Sequence, residues 1–515
     1  MAAVLAVGAC GDTKPVGTVG YVKGFGGLIA ADEPRAVVAG RDVLSAGGTA
    51  ADAAVAAYFT LAVTYPSTAS LGGGGMCIVH DSAKKKTEVI DFVAPPSGVA
   101  GRIANAVPAN PRGFFALHAK YGKLRWESLL ADAERMARVG VPVSRALATD
   151  LGRGMEFLSR DAGARNVFFR PDGSVLREGD MMVQPGLAAV IANLRRSPGD
   201  LYAGLGAREL VNATTAIGGT LSLEDLRDFK PQWRDTLSVK VGNEDAHFAP
   251  PPAVASTVAA QLVGTLWSRY ESIPEDERNH LLAETSARGF AERSHWMMPT
   301  GWTNEMPAIL VTPKRLEALA AGYSPDHHTI VDTSSRPTDA QAGTGFVILD
   351  SNGSAIACSI TTYGLFGSGR IAGTTGIVLA GAPGPNGPPA IAPMMSVNAK
   401  TNQVHFVGAA SGGVTAPSAL ATVFLGATAA KAPLAEAEAK PRVVHPGNPD
   451  VVFAESGPTA VDASPLQRRG HQIATVPMPS RVNAIHCPTG EQNERQCQVA
   501  TDPRGFGMAV TVGKN

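Results

Sequence analysis

Gly343-Thr344-Gly345 closes a polar stretch and opens directly into an apolar, strand-like run, Phe346-Val347-Ile348-Leu349. A threonine there gains chemistry if the peptide bond before it is broken. Cleavage between Gly343 and Thr344 leaves one residue carrying both a hydroxyl nucleophile and a free α-amine. An ordinary hydroxyl is too weakly acidic to attack an amide at neutral pH, whereas an α-amine with a pKa near about 8 can take its proton. The flanking glycines permit the strained backbone that self-cleavage through an N-to-O acyl shift requires. The bland alternative is a threonine in a turn. A second group fits the same chemistry: Ser411-Gly412-Gly413, between a strand and a helix, presents successive backbone N–H groups at a helix N-terminus. Negative charge on a tetrahedral intermediate is stabilised by such groups. Its alternative is a plain strand-to-helix connection.

The elements around these residues can be read from pattern. Ser324 to Ala342 holds Pro325, Asp326, Ser334, Ser335, Pro337, Thr338 and Asp339 and little apolar content, so it reads as a long loop, functional or disordered. Beyond it the character turns to β. Gly345–Asp350 is a strand, Ser351-Asn352-Gly353-Ser354 a hairpin turn and Ala355–Thr361 the return strand. Two further strands are expected near Ile377–Leu379 and Val404–Val407, then a helix from Ala416 to Phe424. Upstream, helices are expected at Ala36–Leu44, at Ala50–Val63 with Thr49 as its cap, and at Pro111–Lys120, Trp126–Val139, Pro185–Leu194, Ala207–Ile217 and Leu223–Phe229. Ser256–Trp296 reads as one helical stretch broken near Pro274, and Arg315–Ala321 as a short helix. Gly72 to Gly75 precede a strand at Met76–His80, either to bring N–H groups against a ligand or to make a connection needing positive φ. Separate runs of strands and helices predict an α+β protein with segregated layers, not a doubly wound sheet.

Composition narrows the function classes. Lys plus Arg and Asp plus Glu balance at 45 each, so no global field draws in nucleic acid or an anionic surface. Five cysteines are too few for a disulfide scaffold. Cys77 and Cys358 sit in apolar runs and read as buried free thiols. Cys487 and Cys497 lie in a polar stretch whose spacing permits a local disulfide in an exported protein. His486 alone adds a nearby ligand there, and His327-His328 is an adjacent pair without carboxylate spacing, expected in solvent. No metal and no cofactor are therefore expected. Val7-Gly8-Ala9-Cys10 resembles a bacterial lipobox after a short apolar segment, so residues 1–20 read as an export signal and tether with Cys10 lipidated, in a periplasmic or membrane-anchored protein. No other stretch approaches the roughly 18 uninterrupted apolar residues of a transmembrane helix.

Gly47-Gly48-Thr49-Ala50-Ala51-Asp52-Ala53-Ala54-Val55-Ala56-Ala57, followed by Gly72-Gly73-Gly74-Gly75-Met76, resembles the N-terminal signature of gamma-glutamyltranspeptidases. Pro142-Val143-Ser144, Gly179-Asp180 with Gln184-Pro185, and Gly218-Gly219-Thr220-Leu221 with Glu224-Asp225-Leu226 are similar as well. Phe366-Gly367-Ser368-Gly369 and Gly412-Gly413 follow in order, so the resemblance runs from about residue 25 to the end. It implies a four-layer αββα sandwich of the N-terminal-nucleophile type and self-cleavage into residues 21–343 and 344–515. It also implies acyl transfer from a gamma-glutamyl donor to water or an amine, with the two chains of the cut protein as each other's partners. Thr361 and Thr362 fall where the family supports its nucleophile. The family's two threonines and a histidine before the strand are here Gly343-Thr344-Gly345. Either one residue is deleted and Thr344 is the nucleophile, or Gly343 fills that place and the chain is an unprocessed binding protein. The donor pocket also departs. The paired serines become Pro389-Ala390, only a displaced Arg102 remains of the arginine region, Tyr363 stands for an asparagine, and Ala380-Gly381-Ala382-Pro383 replaces an acidic residue. Leaving either charge of a zwitterionic head unpaired costs several kcal/mol, so another acyl amide with a less polar head is a candidate beside glutathione.

Overall fold

Gly27–Ala31, Thr344–Asp350 and Ala355–Thr361 are strands buried at every residue, which is why they read as unbroken apolar runs instead of alternating ones. A computed structural model describes residues 24–99, 101–332, 336–385, 387–457, 460–491, 493 and 495–513; Cys10 and the expected export segment lie outside the described residues. Thirteen strands, numbered here in chain order, build two antiparallel sheets. They are β1 (Gly27–Ala31), β2 (Gly74–Asp81), β3 (Lys86–Phe92), β4 (Gln232–Arg234), β5 (Leu237–Val241), β6 (Glu244–Phe248), β7 (Thr344–Asp350), β8 (Ala355–Thr361), β9 (Ala392–Asn398), β10 (Val404–Ser411), β11 (Arg481–His486), β12 (Gln498–Thr501) and β13 (Met508–Val512). One sheet runs β13-β1-β7-β8-β2-β3-β4 and the other β12-β11-β10-β9-β6-β5.

The two sheets face each other. Leu28, Ala30, Met76, Ile78, Val347 and Leu349 of the first meet Met395, Val407, Ala409 and Ile485 of the second, all fully buried. The opposite face of the first sheet, with Ile29, Ile90, Phe346, Ile348 and Ile356, packs on helices α1 (Pro34–Ser45) and α2 (Ala50–Thr64) and their neighbours. Met394, Phe406, Ala410 and Val482 on the outer face of the second sheet pack on α3 (Val254–Tyr270) and α5 (Ala416–Thr428), with α4 (Glu275–Trp296) beyond α3. Successive residues of β7 thus serve two different cores, as a period of two dictates.

Local chemistry fixes the ends that matter. Thr49 and Asp52 form a reciprocal capping box at the start of α2. Glu33 caps α1 by accepting from the Arg35 and Ala36 amides at 2.9 and 3.1 Å, and also accepts from Thr64 Oγ1 at 2.9 Å. One carboxylate so ties the start of α1 to the end of α2, and the residue before it, Asp32, is fixed at the tip of β1. Gly40 lets α1 settle on β1, because a Cβ there would collide with Ile29, while Ala53 and Ala57 of α2 lie at ordinary contact distance.

Several expectations are corrected. Cys77 and Cys358 are not free thiols but a disulfide: they lie directly opposite in the β2/β8 register with Cα atoms 4.1 Å apart. The local disulfide that the spacing of Cys487 and Cys497 permits is, by contrast, present. Ile377–Leu379 is not a strand. Its backbone is spent on loop partners, Ala372 N–H to Ile377 O and Leu379 N–H to Arg370 O, with a single bridge from Val378 to Ile371. The helix expected over Trp126–Val139 is broken at Leu130 into Trp126–Leu129 and Ala131–Val139. Gly72 to Gly75 need no positive φ; a Cβ on any of them would press on neighbouring chain, such as Val378 O at 2.6 Å from Gly72 and Ala94 Cβ at 2.9 Å from Gly74. His328 is drawn inside the molecule instead of lying in solvent, while His327 beside it is exposed. No helix among the described residues is long and apolar enough to cross a membrane. Two disulfides point to an oxidising compartment outside the cytoplasm.

Candidate active site

Thr344 is the first residue of β7, paired with Ile360 of β8, and is 0 % exposed. Its hydroxyl donates to Asp32 Oδ2 at 2.7 Å. Asp32 is itself buried and accepts at Oδ1 from Asn483 Nδ2 at 2.9 Å; the same amide also donates to Gly345 O at 2.9 Å. Thr501 Oγ1 holds Asn483 Oδ1 at 2.7 Å, which orients the amide so that its donors face Asp32. A chain of hydrogen bonds through Asp32, which follows β1, thus ties the Thr344 hydroxyl of β7 to β11 and β12 of the other sheet.

Arg481 supplies the positive charge. Its Nε lies 4.0 Å from Asp32 Oδ2 and its Nη1 donates to Tyr65 Oη at 2.9 Å. Burial alone would lower the Arg481 pKa, but the Tyr65 and Asp32 oxygens outweigh it and hold the guanidinium above its ordinary value. The turn carrying Arg481 is braced from beneath. Arg442 donates to Ser480 O at 2.8 Å and to Asp502 Oδ2 at 2.5 Å, and Asp502 also accepts from the Val482 amide at 2.9 Å.

The corner after β10 lies beside the residues that precede Thr344. Gly412 (φ +123°) and Gly413 (φ +64°) both take conformations that a side chain disfavours, and a Cβ on Gly412 would collide with Ser480. Gly413 leads through a 3₁₀ turn into the thirteen-residue helix α5. A Cβ on Gly413 would lie 3.1 Å from Gln341 Cγ, and one on Gly343 would lie 3.6 Å from Ser411 Cβ. Residues 338–343 thus cross over this corner. They are pinned there by the buried Arg293–Asp339 pair at 2.8 Å, by the Ala340 amide to Pro388 O at 3.1 Å and by Thr361 Oγ1 to Ala342 O at 2.5 Å.

Not every residue singled out from the sequence reaches the Thr344 hydroxyl. Thr361 holds the carbonyl two residues before it, and Thr362 Oγ1 bonds Ser67 O and Gly364 O at 3.2 and 2.8 Å. Tyr363, at φ +63°, is buried with its hydroxyl given to Ala94 O at 2.9 Å. Arg102 is exposed and lies against Gly218. Sequence reasoning passed over Asp32, Asn483, Arg481 and the Ser411 side chain. The one available signal was the Asp32-Glu33-Pro34 step directly after an apolar run, an acidic strand end leading into a helix start. What gathers at Thr344 is a hydroxyl, a carboxylate that accepts its hydrogen bond, a guanidinium behind that carboxylate and a glycine corner at a helix N-terminus, a set suited to acyl transfer.

Comparisons with known proteins fall in line with this geometry. The family profile described as Gamma-glutamyltranspeptidase matches residues 36–384 and 380–512. The chain is 25 % identical over 531 residues to the glutathione hydrolase proenzyme of Escherichia coli (strain K12), covering 93 % of this chain and 90 % of that protein. It is 28 % identical over 377 residues to the glutathione hydrolase proenzyme of Pseudomonas aeruginosa, covering 69 % and 67 %. Among solved structures, a cephalosporin acylase from Bacillus halodurans matches with a TM-score of 0.80 at 21 % identity over 98 % of this chain and 99 % of that one. At that identity the likeness speaks for the fold alone.

Proposed function

We propose, for a chain that belongs to the gamma-glutamyltranspeptidase family, that Thr344 is freed by self-cleavage and then serves as the nucleophile of an acyl-transferring hydrolase. The reading takes the helix, sheet, sheet and helix packing as the four-layer αββα sandwich of N-terminal-nucleophile hydrolases, and residues 21–343 and 344–515 as the two chains of the mature enzyme. The observation that carries it is the buried Thr344 hydroxyl at a strand start, 2.7 Å from Asp32, with the glycine corner beside the residues to be cut away.

In maturation the Thr344 nitrogen is still an amide and cannot act as a base, so another group must take the hydroxyl proton. Asp32 is the carboxylate placed to do so. Thr344 Oγ attacks the Gly343 carbonyl carbon, Gly412 and Gly413 N–H groups receive the oxyanion, and the C–N bond breaks as nitrogen leaves with a proton. Water then hydrolyses the resulting ester. The freed α-amine replaces Asp32 as general base in turnover, where an acyl amide is attacked and the acyl-enzyme passes to water or an amine. Residues 338–343 occupy the corner before the cut, and their departure opens it to substrate. Gamma-glutamyl amides are the first candidate donor class, as the relatives' names suggest. An acyl amide with a less polar head is the second, because Tyr363 and Arg102 do not present polar groups at Thr344.

Mass spectrometry of reduced, purified protein tests this: two products meeting at 343/344 are expected, with a lipid on Cys10 if the export reading holds. A continuous polypeptide in active, folded protein would sink the nucleophile assignment. It would favour the second reading, an uncut family member that binds a ligand without turning it over, which the spent hydroxyls of Thr361, Thr362 and Tyr363 fit.

A further inference from the structure

Away from Thr344, four histidines and two carboxylates converge where α4 meets a small three-stranded sheet (Val443–Val444, Val452–Glu455 and Ile473–Val476). His280, Glu284, His445 and His471 are buried, and His328 reaches in from the loop that leads to the 343/344 junction. His328, His445 and His471 can each offer one nitrogen such that all three lie within 4.8 Å of one another.

The proton positions follow from the partners. A carbonyl only accepts, so His280 Nε2, 2.8 Å from Ser324 O, carries a proton and its Nδ1 is bare. His471 Nε2, 2.8 Å from that Nδ1, must then be the donor. This leaves His471 Nδ1 as a naked lone pair, and it has no hydrogen-bond partner although the residue is only 4 % exposed. His328 Nδ1 faces Glu284 Oε1 at 2.6 Å and must donate to it. The other nitrogen of that ring, Nε2, faces Asp450 Oδ1 at 3.1 Å, lone pair against lone pair unless a proton or a metal ion lies between. His445 Nε2 approaches the same Asp450 oxygen at 3.1 Å, while its Nδ1 accepts from the Gly447 amide.

We propose that this cluster binds one divalent transition-metal ion of the zinc type, ligated by His328, His445 and His471 and by the Asp450 carboxylate. Glu284 and His280 serve as the outer groups that orient the His328 and His471 rings through their second nitrogens, the usual support for an imidazole ligand. His445 joins through Nε2, which already faces Asp450, by moving its proton to Nδ1 and giving up the Gly447 contact there. Three imidazoles and a carboxylate suit zinc, not calcium or magnesium, which take oxygen ligands. Metal–ligand bonds of roughly 2.0–2.2 Å put tetrahedral ligands about 3.4 Å apart, so the set closes on an ion by side-chain adjustment. His328 precedes Thr344 and the other three ligands follow it, so an ion here would join the two chains of the mature enzyme; that consequence alone rests on the proposed cleavage.

The test uses the full chain without a polyhistidine tag, stripped with chelator and reloaded with Zn²⁺. One zinc per chain by elemental analysis and a raised thermal midpoint are expected, with Co²⁺ giving a tetrahedral visible band. His471→Ala should weaken zinc binding on the order of a hundredfold or more. Asp450→Asn, at a partly exposed position, should weaken it by at least tenfold. Thr344→Ala must retain the ion in full, which separates this site from the fate of the cleavage reading. Reloaded wild type with no zinc above buffer level, or both ligand variants binding as wild type does, overturns the proposal.

Discussion

The corner around Thr344 and the histidine cluster are both buried and polar, yet the atoms they leave unpaired differ in kind. Beside Thr344, the Ser411 hydroxyl and Arg481 Nε make no hydrogen bond among the described residues, while the unpaired acceptor Asp339 Oδ1 belongs to the 338–343 segment that covers the corner, in an ion pair with Arg293. The Ser411 hydroxyl and Arg481 Nε can both donate. In the histidine cluster the unpaired atom is His471 Nδ1, which the proton accounting makes an acceptor. An unpaired buried polar group costs about 1–3 kcal/mol, so its polarity tells which charge the site is built to receive. Donors await negative charge, as on a tetrahedral intermediate; a bare lone pair awaits a cation.

The strongest way to break that contrast is at the nucleophile. Thr344→Ala should abolish maturation and reduce turnover on the order of 10⁴-fold or more, measured by product mass and amide hydrolysis, with zinc content untouched. Asp32→Asn comes next. It keeps the shape but removes the proton acceptor, and self-cleavage should slow by about 10²–10³-fold in a time course of the precursor. Ser411→Ala sharpens the donor argument: turnover should fall roughly tenfold, about 1.4 kcal/mol of barrier, while the thermal midpoint stays or rises because an unpaired hydroxyl is removed. An unchanged rate would take Ser411 out of the site. The smallest effect is on stability against pH. Burial is the main force lowering His445 to about 4 and His471 to about 3. Below the unfolded value near roughly 6.5 the unfolded chain binds protons that these rings refuse, so stability falls as pH drops from about 6.5 toward 4 and is unaffected by them above about 7. In metal-free protein, His471→Ala should make that acid slope shallower by melting curves across the window; an unchanged slope would show that this ring is not its source.

How far these clusters could be read from sequence depended on how local they are. Thr344, the hairpin after it and the Gly412-Gly413 corner are written in consecutive residues, and a loop, a turn pair and a helix start announce them. The partners of Thr344 are not. Asp32 is 312 positions away and reaches the hydroxyl only because Glu33 clamps two helices and so fixes the end of β1. Asn483 sits in a short, almost wholly buried strand, with nothing in its neighbouring residues to mark it as a partner. His328 read as half of a surface pair because its ligating company, His445, Asp450 and His471, arrives from separate turns more than a hundred residues on. The run at Ile377–Leu379 misled for the opposite reason: it is apolar because it is buried, and its hydrogen bonds go to loops, not to a neighbouring strand.

The bond between Cys77 and Cys358 has a practical bearing on every assay of processing. One sulfur comes from upstream of the proposed cut and the other from downstream. Opening the Gly343–Thr344 peptide would then leave a single covalently crosslinked molecule, heavier than its precursor by one water. Electrophoresis without a thiol reductant would show one band whether or not the enzyme had matured, and only after reduction would the fragments part.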